Sequence, residues 1–478
     1  MRTTHTIVID GQKVELTPEL IERYDVPGPR YTSYPTAPMW NNDFGPDDAK
    51  RVIAASNQTA DGVARPLSLY THLPFCEQLC LFCGCSLIVH PKTAGRTPDN
   101  DRATAYLATL KRDIEIAGGV VDKSRPVVQF HWGGGTPTYF EPAQLEDLFN
   151  CVKGQFHFAD DAEIGVEIDP RVTTPEHLET LHRLGFNRIS MGVQDFNPEV
   201  QQAVKRIQSL EMVQDMVSRC RDLGFESINI DLMYGLPLQT AVDFAKTVDA
   251  VVKLNPDRIA LFNYGHVPWI KKYQQVLTPM LPAPEVKVDI FLMAVAALTA
   301  AGYTYIGMDH FVHPDDELCV AQQNGSLHRN FQGYSTKAGA DLLGFGITSI
   351  GEVGTSYLQN WRDIDHWREA IDADTLPIMR GCELTADDVI RREAISDILC
   401  QTVIDKSSFS TKMGVDFDTY FAADLPKLEP MAADGLVELT PDTVRVTPLG
   451  RFFLRNVAMV FDAYLEPNSE KPMFSRTV

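Results

Sequence analysis

The amino-acid sequence predicts an α/β protein built around an incomplete barrel of six βα units. Strand-like runs that are almost continuously apolar alternate with helical stretches, a pattern typical of parallel strands covered on both faces. Right-handed crossovers join consecutive parallel strands and carry the chain around the barrel. A closed barrel of this kind has about eight units, so six units predict a barrel that does not close.

Each unit of the predicted barrel can be placed on the chain. The strands are predicted at 66–73, 126–132, 163–168, 188–193, 227–235 and 258–265. The intervening helices are predicted at 101–117, 142–153, 175–184, 199–223 and 240–253. A further helix over 284–301 and a short strand over 303–308 are expected to extend the barrel wall. The expected domains are an N-terminal segment, a partial barrel and a C-terminal domain, at 1–64, 65–365 and 366–478.

The two flanking segments differ in character. Residues 1–64 hold no long periodic element, and the patch PGPRYTSYPTAP at 27–38 predicts irregular backbone. Near the other end, ELTADDVIRREAISDILC predicts a helix capped by Thr385 with acidic residues in its first turn. Residues 435–465 predict a small hairpin followed by a helix, so we expect a mostly helical C-terminal domain that is similar to a winged helix.

Composition argues against several classes of function. The formal net charge of −21 disfavours a nucleic-acid binder, because phosphate contacts need a basic face. No stretch approaches the roughly 18 consecutive apolar residues of a membrane span, and the first residues do not resemble an export signal. An odd number of cysteines, nine, fits a reducing compartment. We therefore expect a cytoplasmic protein.

The chemistry of the chain is concentrated in a cysteine loop after the first predicted strand. Pro74 ends that strand, and Cys76, Cys80 and Cys83 follow with C-x3-C-x2-C spacing. Thiolates this close together can hold one polynuclear metal centre, and three are one fewer than the four that fill an ordinary [4Fe–4S] cluster. One iron would be open to a small molecule, and an open position makes a metal site catalytic.

Two other uses of these cysteines have weaker support. A structural zinc site usually combines two Cys or His pairs, and the second pair is missing here. Zinc stays open as the alternative to an iron–sulfur cluster. A disulfide framework is typical of short secreted domains, whereas this chain has 478 residues.

The cysteine loop also carries a family resemblance. C-x3-C-x2-C after a first barrel strand resembles the radical S-adenosylmethionine (SAM) superfamily. The longer string RPLSLYTHLPFCEQLCLFCGC, whose C-x-C ending adds Cys85, is similar to the family of oxygen-independent coproporphyrinogen III oxidases. The similarity runs from PGPRYTSYP to the terminal FSRTV. It implies a [4Fe–4S] cluster on Cys76, Cys80 and Cys83, with one SAM on the open iron and a second SAM beside it.

The resemblance assigns SAM contacts to the ends of the predicted strands, where barrel enzymes carry their chemistry. Gly134 is expected on the cluster-bound SAM, and Gly135 and Thr136 on the second. At one position the family has Ala where this chain has Gly265, a change that a backbone contact would survive. Each polar residue alone could be structural, whereas their joint position at six strand ends favours the assignment. The full expected set is Tyr70, Phe82, Gly134, Gly135, Thr136, Glu167, Gln194, Arg206, Asp231, Gly265 and Ile350.

The resemblance further implies coproporphyrinogen III as the substrate. Its four propionates need local basic groups in an acidic protein, and Arg30 and Arg329 are the candidates, with loop packing as the alternative. His72 is expected near the cluster, although a histidine on a strand is often a structural residue. Cys85 is not expected to ligate the cluster, because a fourth ligand would block SAM. The residues expected to serve catalysis are Tyr70, His72, Cys85, Arg30 and Arg329.

The implied reaction converts two propionates into vinyl groups. The reduced cluster cleaves SAM, the 5′-deoxyadenosyl radical takes hydrogen from a propionate β-carbon, and loss of CO₂ and one electron leaves the vinyl group. The product is protoporphyrinogen IX. The reaction needs an electron donor, expected to be of the flavodoxin or ferredoxin type, and an electron acceptor; we expect a monomer.

Three alternatives stay open at this point. A haem chaperone of the same superfamily would typically lack both the C-x-C ending and the PRYTSYP patch, which this chain has. A radical SAM methyltransferase or haem-degrading enzyme would use the same barrel and differ in its products. A purely structural metalloprotein would cleave no SAM.

Overall fold

The structure, a computed structural model, describes residues 5–9, 11–57, 65–92, 101–465 and 474–477. Contacts divide the chain into two compact units, each of which is described by itself. The cysteine unit comprises Trp40–Asp231 and Gly339–Glu383, and the terminal unit comprises Met1–Met39, Leu232–Ala338 and Leu384–Val478. This grouping differs from the expected domains, whose boundaries at 64/65 and 365/366 stay predictions. Residues 58–64, beside the first boundary, lie outside the described residues.

The cysteine unit is organised around one mixed sheet. In spatial order its strands are Arg188–Gln194, His157–Ile168, Pro126–Gly134, Leu67–Leu73, Asp341–Phe345, Ile350–Val353, Ser356–Asn360 and Ile378–Glu383. The first five run parallel to their neighbours, and the last three are antiparallel. On the other side, Ser227–Tyr234 flanks Arg188–Gln194. A short parallel pair, Phe75–Cys76 with Ile88–Val89, lies in the cysteine loop.

Helices cover the parallel strands of this unit, as the apolar character of those strands predicts. They are Pro46–Ser56, Arg102–Gly118, Pro142–Gln155, Pro175–Leu184, Pro198–Ala203, Leu210–Leu223 and Ile364–Asp372, with a 3₁₀ turn at Pro137–Tyr139. Side chains cap their first turns: Asp101 accepts from the Thr104 N–H, and Ser209 from the Met212 N–H. A glycine with a positive φ of 93°, Gly224, ends the last crossover helix of the unit.

The predicted α/β fold is confirmed, and the partial barrel is open: Ile378–Glu383 forms an edge of the strand order in this unit. Two details of the sequence analysis were wrong. The single helix expected over 199–223 is two helices separated by 204–209. The strands between 341 and 383 were not predicted, because they are short and interrupted by glycine and polar residues.

A buried ion pair fixes the junction between the two halves of the sheet. Asp341, at the start of its strand, pairs with Arg125, which precedes Pro126–Gly134; their side chains are only 2% and 1% exposed. Asp341 also accepts a hydrogen bond from Ser56 and from the Gly354 N–H. With these donors the buried carboxylate is satisfied, and it holds Asp341–Phe345 beside the first barrel strand.

The terminal unit collects the two ends of the chain and the segment after the fifth barrel strand. Its larger strand group pairs Arg258–Asn263 with His310–Val312 and the latter with Thr304–Gly307, all antiparallel. Hairpins form from His5–Ile9 with Gln12–Leu16 and from His328–Asn330 with Gly333–Ser335. Its helices up to residue 338 are Pro18–Tyr24, Ala241–Leu254, Pro284–Ala300 and Glu317–Gln323, with 3₁₀ segments Ala37–Met39 and Lys272–Met280.

The C-terminal part is mostly helical with a small sheet, as the sequence predicts. Thr385 caps the helix Ala386–Ser396 and accepts from the Asp388 N–H. The sheet order is Val403–Asp405, Thr443–Val446, Val437–Leu439. The remaining helical segments are Asp397–Gln401, Lys406–Met413, Phe417–Tyr420, Leu425–Leu428, Glu429–Ala433, Gly450–Phe453 and Leu454–Met459. At the other end the patch 27–36 lacks helix and extended strand, whereas the preceding hairpin and helix were not predicted.

In the described part of the chain, no helix combines the length and the apolar character that crossing a membrane requires.

A buried carboxyl group that has no cationic partner in the described part of the chain lies behind the first barrel strand. Asp113, only 2% exposed, accepts the Gly346 N–H at 2.8 Å and the Trp367 indole N–H at 3.1 Å. Two helical turns away the Tyr106 hydroxyl donates to the His72 carbonyl at 2.9 Å. Burial raises the pKa of Asp113 to about 7, because the hydrogen bonds from Gly346 and Trp367 only partly offset the desolvation of the carboxylate.

This raised pKa predicts a loss of stability with rising pH. As pH rises from about 4 to about 7, the unfolded chain ionises Asp113 while the folded chain keeps its proton, so folding becomes less favourable. Asp113→Asn removes this cost and keeps one oxygen for both donors. The difference in free energy of unfolding between variant and parent should therefore grow by about 2 kcal/mol from pH 5 to pH 8. Denaturant titration at both pH values measures it.

The exposed Asp161 offers a matched control, and Asp161→Asn should follow the parent at both pH values. A difference for Asp113→Asn that is the same at pH 5 and pH 8 would contradict the prediction.

Candidate active site

The cysteine loop is fixed to its surroundings by backbone hydrogen bonds. Pro74 and Cys76 accept from the N–H groups of Ile88 and His90, at 2.7 and 2.8 Å. In the middle of the loop the Leu81 N–H donates to the Val204 carbonyl at 2.9 Å. The loop is therefore attached both to its own return segment and to the turn that divides the two helices after the fourth barrel strand.

The three cysteines line a cavity of about 750 Å³, a size typical of small-molecule sites. The predicted site residues that also line it are Phe82, Cys85, Gly134, Gly135, Thr136, Glu167, Gln194, Arg206 and Asp231. They come from the ends of five barrel strands, as expected for parallel strands. All lie in the cysteine unit. The structure thus brings together twelve of the residues that the sequence analysis selected.

Other predicted residues lie outside this lining. Tyr70, His72 and Ile350 belong to the cysteine unit but not to the cavity wall. Gly265, Arg30 and Arg329 belong to the terminal unit. Their expected SAM and substrate contacts stay predictions.

The donor set of the cavity fits an iron–sulfur cluster. Cys76 Sγ lies 3.4 Å from Thr136 Oγ1. Burial raises the pKa of the Cys76 thiol to about 12, so a metal centre has to displace its proton. Among the described residues, no group of three or more His, Cys, Asp or Glu side chains is arranged to hold a metal ion. A single metal ion needs its ligands close together around one point. Each thiolate of a cubane cluster binds a different iron, so the three cysteines of this loop can be farther apart and still hold it.

Tyr70 and His72 support the loop from behind. The His72 Nε2 lies 2.8 Å from the Ser86 carbonyl, which can only accept, so Nε2 carries the hydrogen. Nδ1 is then the acceptor for the Tyr70 hydroxyl, at 3.1 Å. Burial lowers the pKa of His72 and keeps the ring neutral. The pair therefore fixes the chain directly after Cys85.

The glycine run after the second strand is required by the protein's own packing. A Cβ on Gly134, whose φ is +111°, would lie 2.5 Å from the His72 ring. A Cβ on Gly135 would lie 2.5 Å from the Pro74 carbonyl carbon. The Gly135 N–H donates to the Leu73 carbonyl at 2.9 Å, so this run is joined to the start of the cysteine loop.

Two carboxylates face the cavity with different charge states. Burial would raise the pKa of Glu167, but hydrogen bonds from His131 and the Gly134 N–H keep it below the usual value. Its side chain is 46% exposed, and that surface faces the cavity. Burial and the charge of Glu167 raise the pKa of Asp231 to about 7. Glu167 can therefore attract a cationic group, and Asp231 can gain or lose a proton near neutral pH.

Gln194 marks the end of the fourth strand as a constrained position. Its φ is +68°, which is unusual for a residue with a side chain. Its Oε1 is buried with no hydrogen-bond partner among the described residues. Strain and an unsatisfied oxygen in a cavity wall are typical of ligand contacts.

Arg206, a predicted SAM contact, belongs to an ionic group at the same cavity whose other members, Asp169 and Arg171, were not predicted. Asp169 accepts from Arg171 at 2.6 Å and from Arg206 at 3.1 Å. Both guanidinium groups also donate to Cys80 Sγ, Arg171 at 3.4 Å and Arg206 at 3.6 Å. Asp169 directly follows the third predicted strand, a position that could have drawn attention to it.

In the terminal unit, Arg30 and Arg329 come close to each other. Arg30 forms an ion pair with Asp309, and its side chain stays 33% exposed. Arg329 donates to the Arg30 carbonyl at 2.8 Å and packs over the Tyr334 ring. The Tyr334 ring meets His310 edge to face at 5.3 Å. Burial lowers the pKa of His310 to about 4, so its ring stays neutral.

Two family models match the chain. The one described as Radical SAM superfamily matches residues 70–251, and the one described as HemN C-terminal domain matches residues 384–453. An oxygen-independent coproporphyrinogen III oxidase from Synechocystis sp. is 44% identical over 470 residues, which cover 97% of this chain and 98% of the relative. The enzyme of the same name from Escherichia coli K12 is 43% identical and covers 98% and 99% of the two chains.

A solved structure is similar over the same extent. Coproporphyrinogen III oxidase (HemN) from Escherichia coli, described as a radical SAM enzyme, superposes with a TM-score of 0.86 at 44% identity. The match covers 91% of this chain and 98% of that chain. Since identity above 40% extends over nearly the whole length of both chains, this chain belongs to the family of oxygen-independent coproporphyrinogen III oxidases.

Proposed function

We propose that this chain converts two propionates of coproporphyrinogen III into vinyl groups without oxygen and so yields protoporphyrinogen IX. The main support for this proposal is one observation. Three cysteines of a single loop line a cavity together with Gly134, Glu167 and other strand-end residues of a radical SAM barrel. Relatives that cover nearly all of the chain are named for this activity.

Each group at the cavity has a definite task in this proposal. Cys76, Cys80 and Cys83 would hold the [4Fe–4S] cluster, and the Glu167 carboxylate would accept from the amino group of SAM. The bound cluster and SAM supply the one-electron chemistry that starts hydrogen abstraction. Tyr70 and His72 hold the loop in position through Ser86.

Two SAM molecules are part of the proposal. The cavity wall offers two sets of polar groups: Gly134 with Glu167, and Gln194 with Asp231. The unsatisfied Oε1 of Gln194 and the proton of Asp231 suit hydroxyl and amino groups of a nucleoside. The second set would bind the second SAM.

The arginines of the terminal unit would receive the substrate carboxylates. A propionate would add a second carboxylate beside Arg30, whose guanidinium group has five N–H donors and can pair with it while keeping Asp309. The neutral His310 ring adds no charge that would compete. We further propose a cytoplasmic monomer that takes electrons from a flavodoxin- or ferredoxin-type protein and passes electrons to a separate acceptor.

The first test uses Cys76→Ser in the full-length, anaerobically reconstituted protein. Loss of one cluster ligand should abolish the iron–sulfur absorbance, 5′-deoxyadenosine formation and the appearance of protoporphyrin. The matched control is Cys151→Ser, a half-buried cysteine that does not line the cavity, and it should retain all three signals.

Other outcomes would point elsewhere. SAM cleavage by the parent without decarboxylation would retain the radical SAM chemistry and exclude the substrate. Stable haem binding without turnover would favour a haem chaperone, and an iron-free protein that retains zinc would exclude the cluster.

A second test addresses the propionate site through Arg30→Gln. Loss of a charge-assisted hydrogen bond of about 1.5–3 kcal/mol should raise KM for coproporphyrinogen III by roughly 10- to 100-fold. The cluster absorbance should stay unchanged. Arg23→Gln, which breaks an exposed ion pair with Asp434 in the same unit, should leave KM unchanged. An unaltered KM in Arg30→Gln would remove Arg30 from the substrate site.

A further inference from the structure

In the ionic group behind Cys80, only Arg206 belongs to the expected SAM contacts, whereas Asp169 and Arg171 do not. Asp169, Arg171 and Arg206 are all largely buried, with side-chain exposures of 9%, 14% and 9%. Two guanidinium groups share one carboxylate, so the group carries one net positive charge. A buried excess charge is costly unless an anion compensates it.

The missing anion is indicated by the direction of the hydrogen bonds. Arg171 Nη2 and Arg206 Nη1 both approach Cys80 Sγ, at 3.4 and 3.6 Å. A guanidinium group has only donors, so the sulfur is the acceptor in both contacts. A thiol is a weak acceptor, whereas a metal-bound thiolate carries the negative charge that balances the group.

The surrounding backbone fixes this arrangement. Arg206 Nη2 donates to the Gly192 carbonyl at 2.6 Å. Just before Arg206, Lys205 has a positive φ of 55°, and the Val204 carbonyl accepts from the Leu81 N–H of the cysteine loop. The helix break at 204–209 therefore places a guanidinium group against the cysteine loop and couples the position of both.

We propose that Arg171 and Arg206, bridged by Asp169, set the reduction potential of the cluster by donating hydrogen bonds and positive charge to the Cys80 thiolate. This inference rests on the proposed function in one respect, the presence of the cluster.

The charge that the cluster gains on reduction determines in which direction the ionic group shifts its reduction potential. Reduction moves one electron from the donor protein to the cluster and adds one negative charge beside Cys80. Hydrogen bonds to cluster sulfurs and nearby positive charge stabilise that added charge more than the oxidised state. The arginines therefore raise the reduction potential, whereas Asp169 partly opposes them. Removing an arginine and removing the carboxylate must act in opposite directions.

The experiment is a potentiometric titration of the anaerobically reconstituted full chain, followed by electron paramagnetic resonance of the reduced cluster. Arg171→Met should shift the midpoint potential to more negative values, and Arg171→Lys should give a smaller shift. Asp169→Asn should shift it to more positive values. Arg183→Met, which removes one exposed arginine paired with Glu146, serves as the charge-matched control and should match the parent.

The outcomes separate this inference from the function it rests on. A parent protein that forms no cluster would remove the proposed function. A parent that forms the cluster, with variants at unchanged potential or with Arg171→Met and Asp169→Asn shifted in the same direction, would overturn only the role of the ionic group. If Arg171→Met does not retain a cluster, the opposite signs expected for Arg171→Lys and Asp169→Asn still decide the question.

Discussion

The carboxylate of Asp169 is the constraint on which the architecture of the site depends. A charge buried at the end of the third barrel strand must be paired, and Asp169 is paired with two arginines from different segments. Arg171 follows on the same loop, whereas Arg206 comes from the turn between two helices. Through Cys80 both arginines reach the cysteine loop. One desolvated group thus connects three segments that are distant in sequence.

Features that depend on neighbouring residues could be predicted from the sequence, whereas features that depend on contacts between segments could not. Apolar strand runs and the C-x3-C-x2-C spacing are local signals, and the structure confirms the parallel strands and places the cysteines at one cavity. The break at 204–209 leaves only one weak local signal, the N-cap residue Ser209, because the residues before it include no glycine or proline. The break is fixed by side-chain hydrogen bonds within 193–208, which helix propensity does not reveal: the Gln201 side-chain amide donates to the Asp195 and Gln208 carbonyls, and the Gln208 amide to the Val193 carbonyl.

The two glycines after the second strand have a structural reason that was not predicted. The family resemblance assigns SAM contacts to Gly134 and Gly135, and these contacts stay predictions. In the structure the space above them is taken by the His72 ring and the Pro74 backbone. Glycine is needed here so that the second strand and the cysteine loop can lie in contact. Any cofactor contact with these residues is then made by a backbone that is already fixed.

The division of the chain has a consequence for synthesis. The strand that neighbours Leu67–Leu73 on one side, Asp341–Phe345, is translated about 270 residues after it, and the edge strand Ile378–Glu383 follows later still. At about 5–20 residues per second, the nascent cysteine loop spends many seconds beside an unfinished sheet. The thiols of Cys76, Cys80 and Cys83 must therefore stay reduced until the sheet that supports their loop is complete.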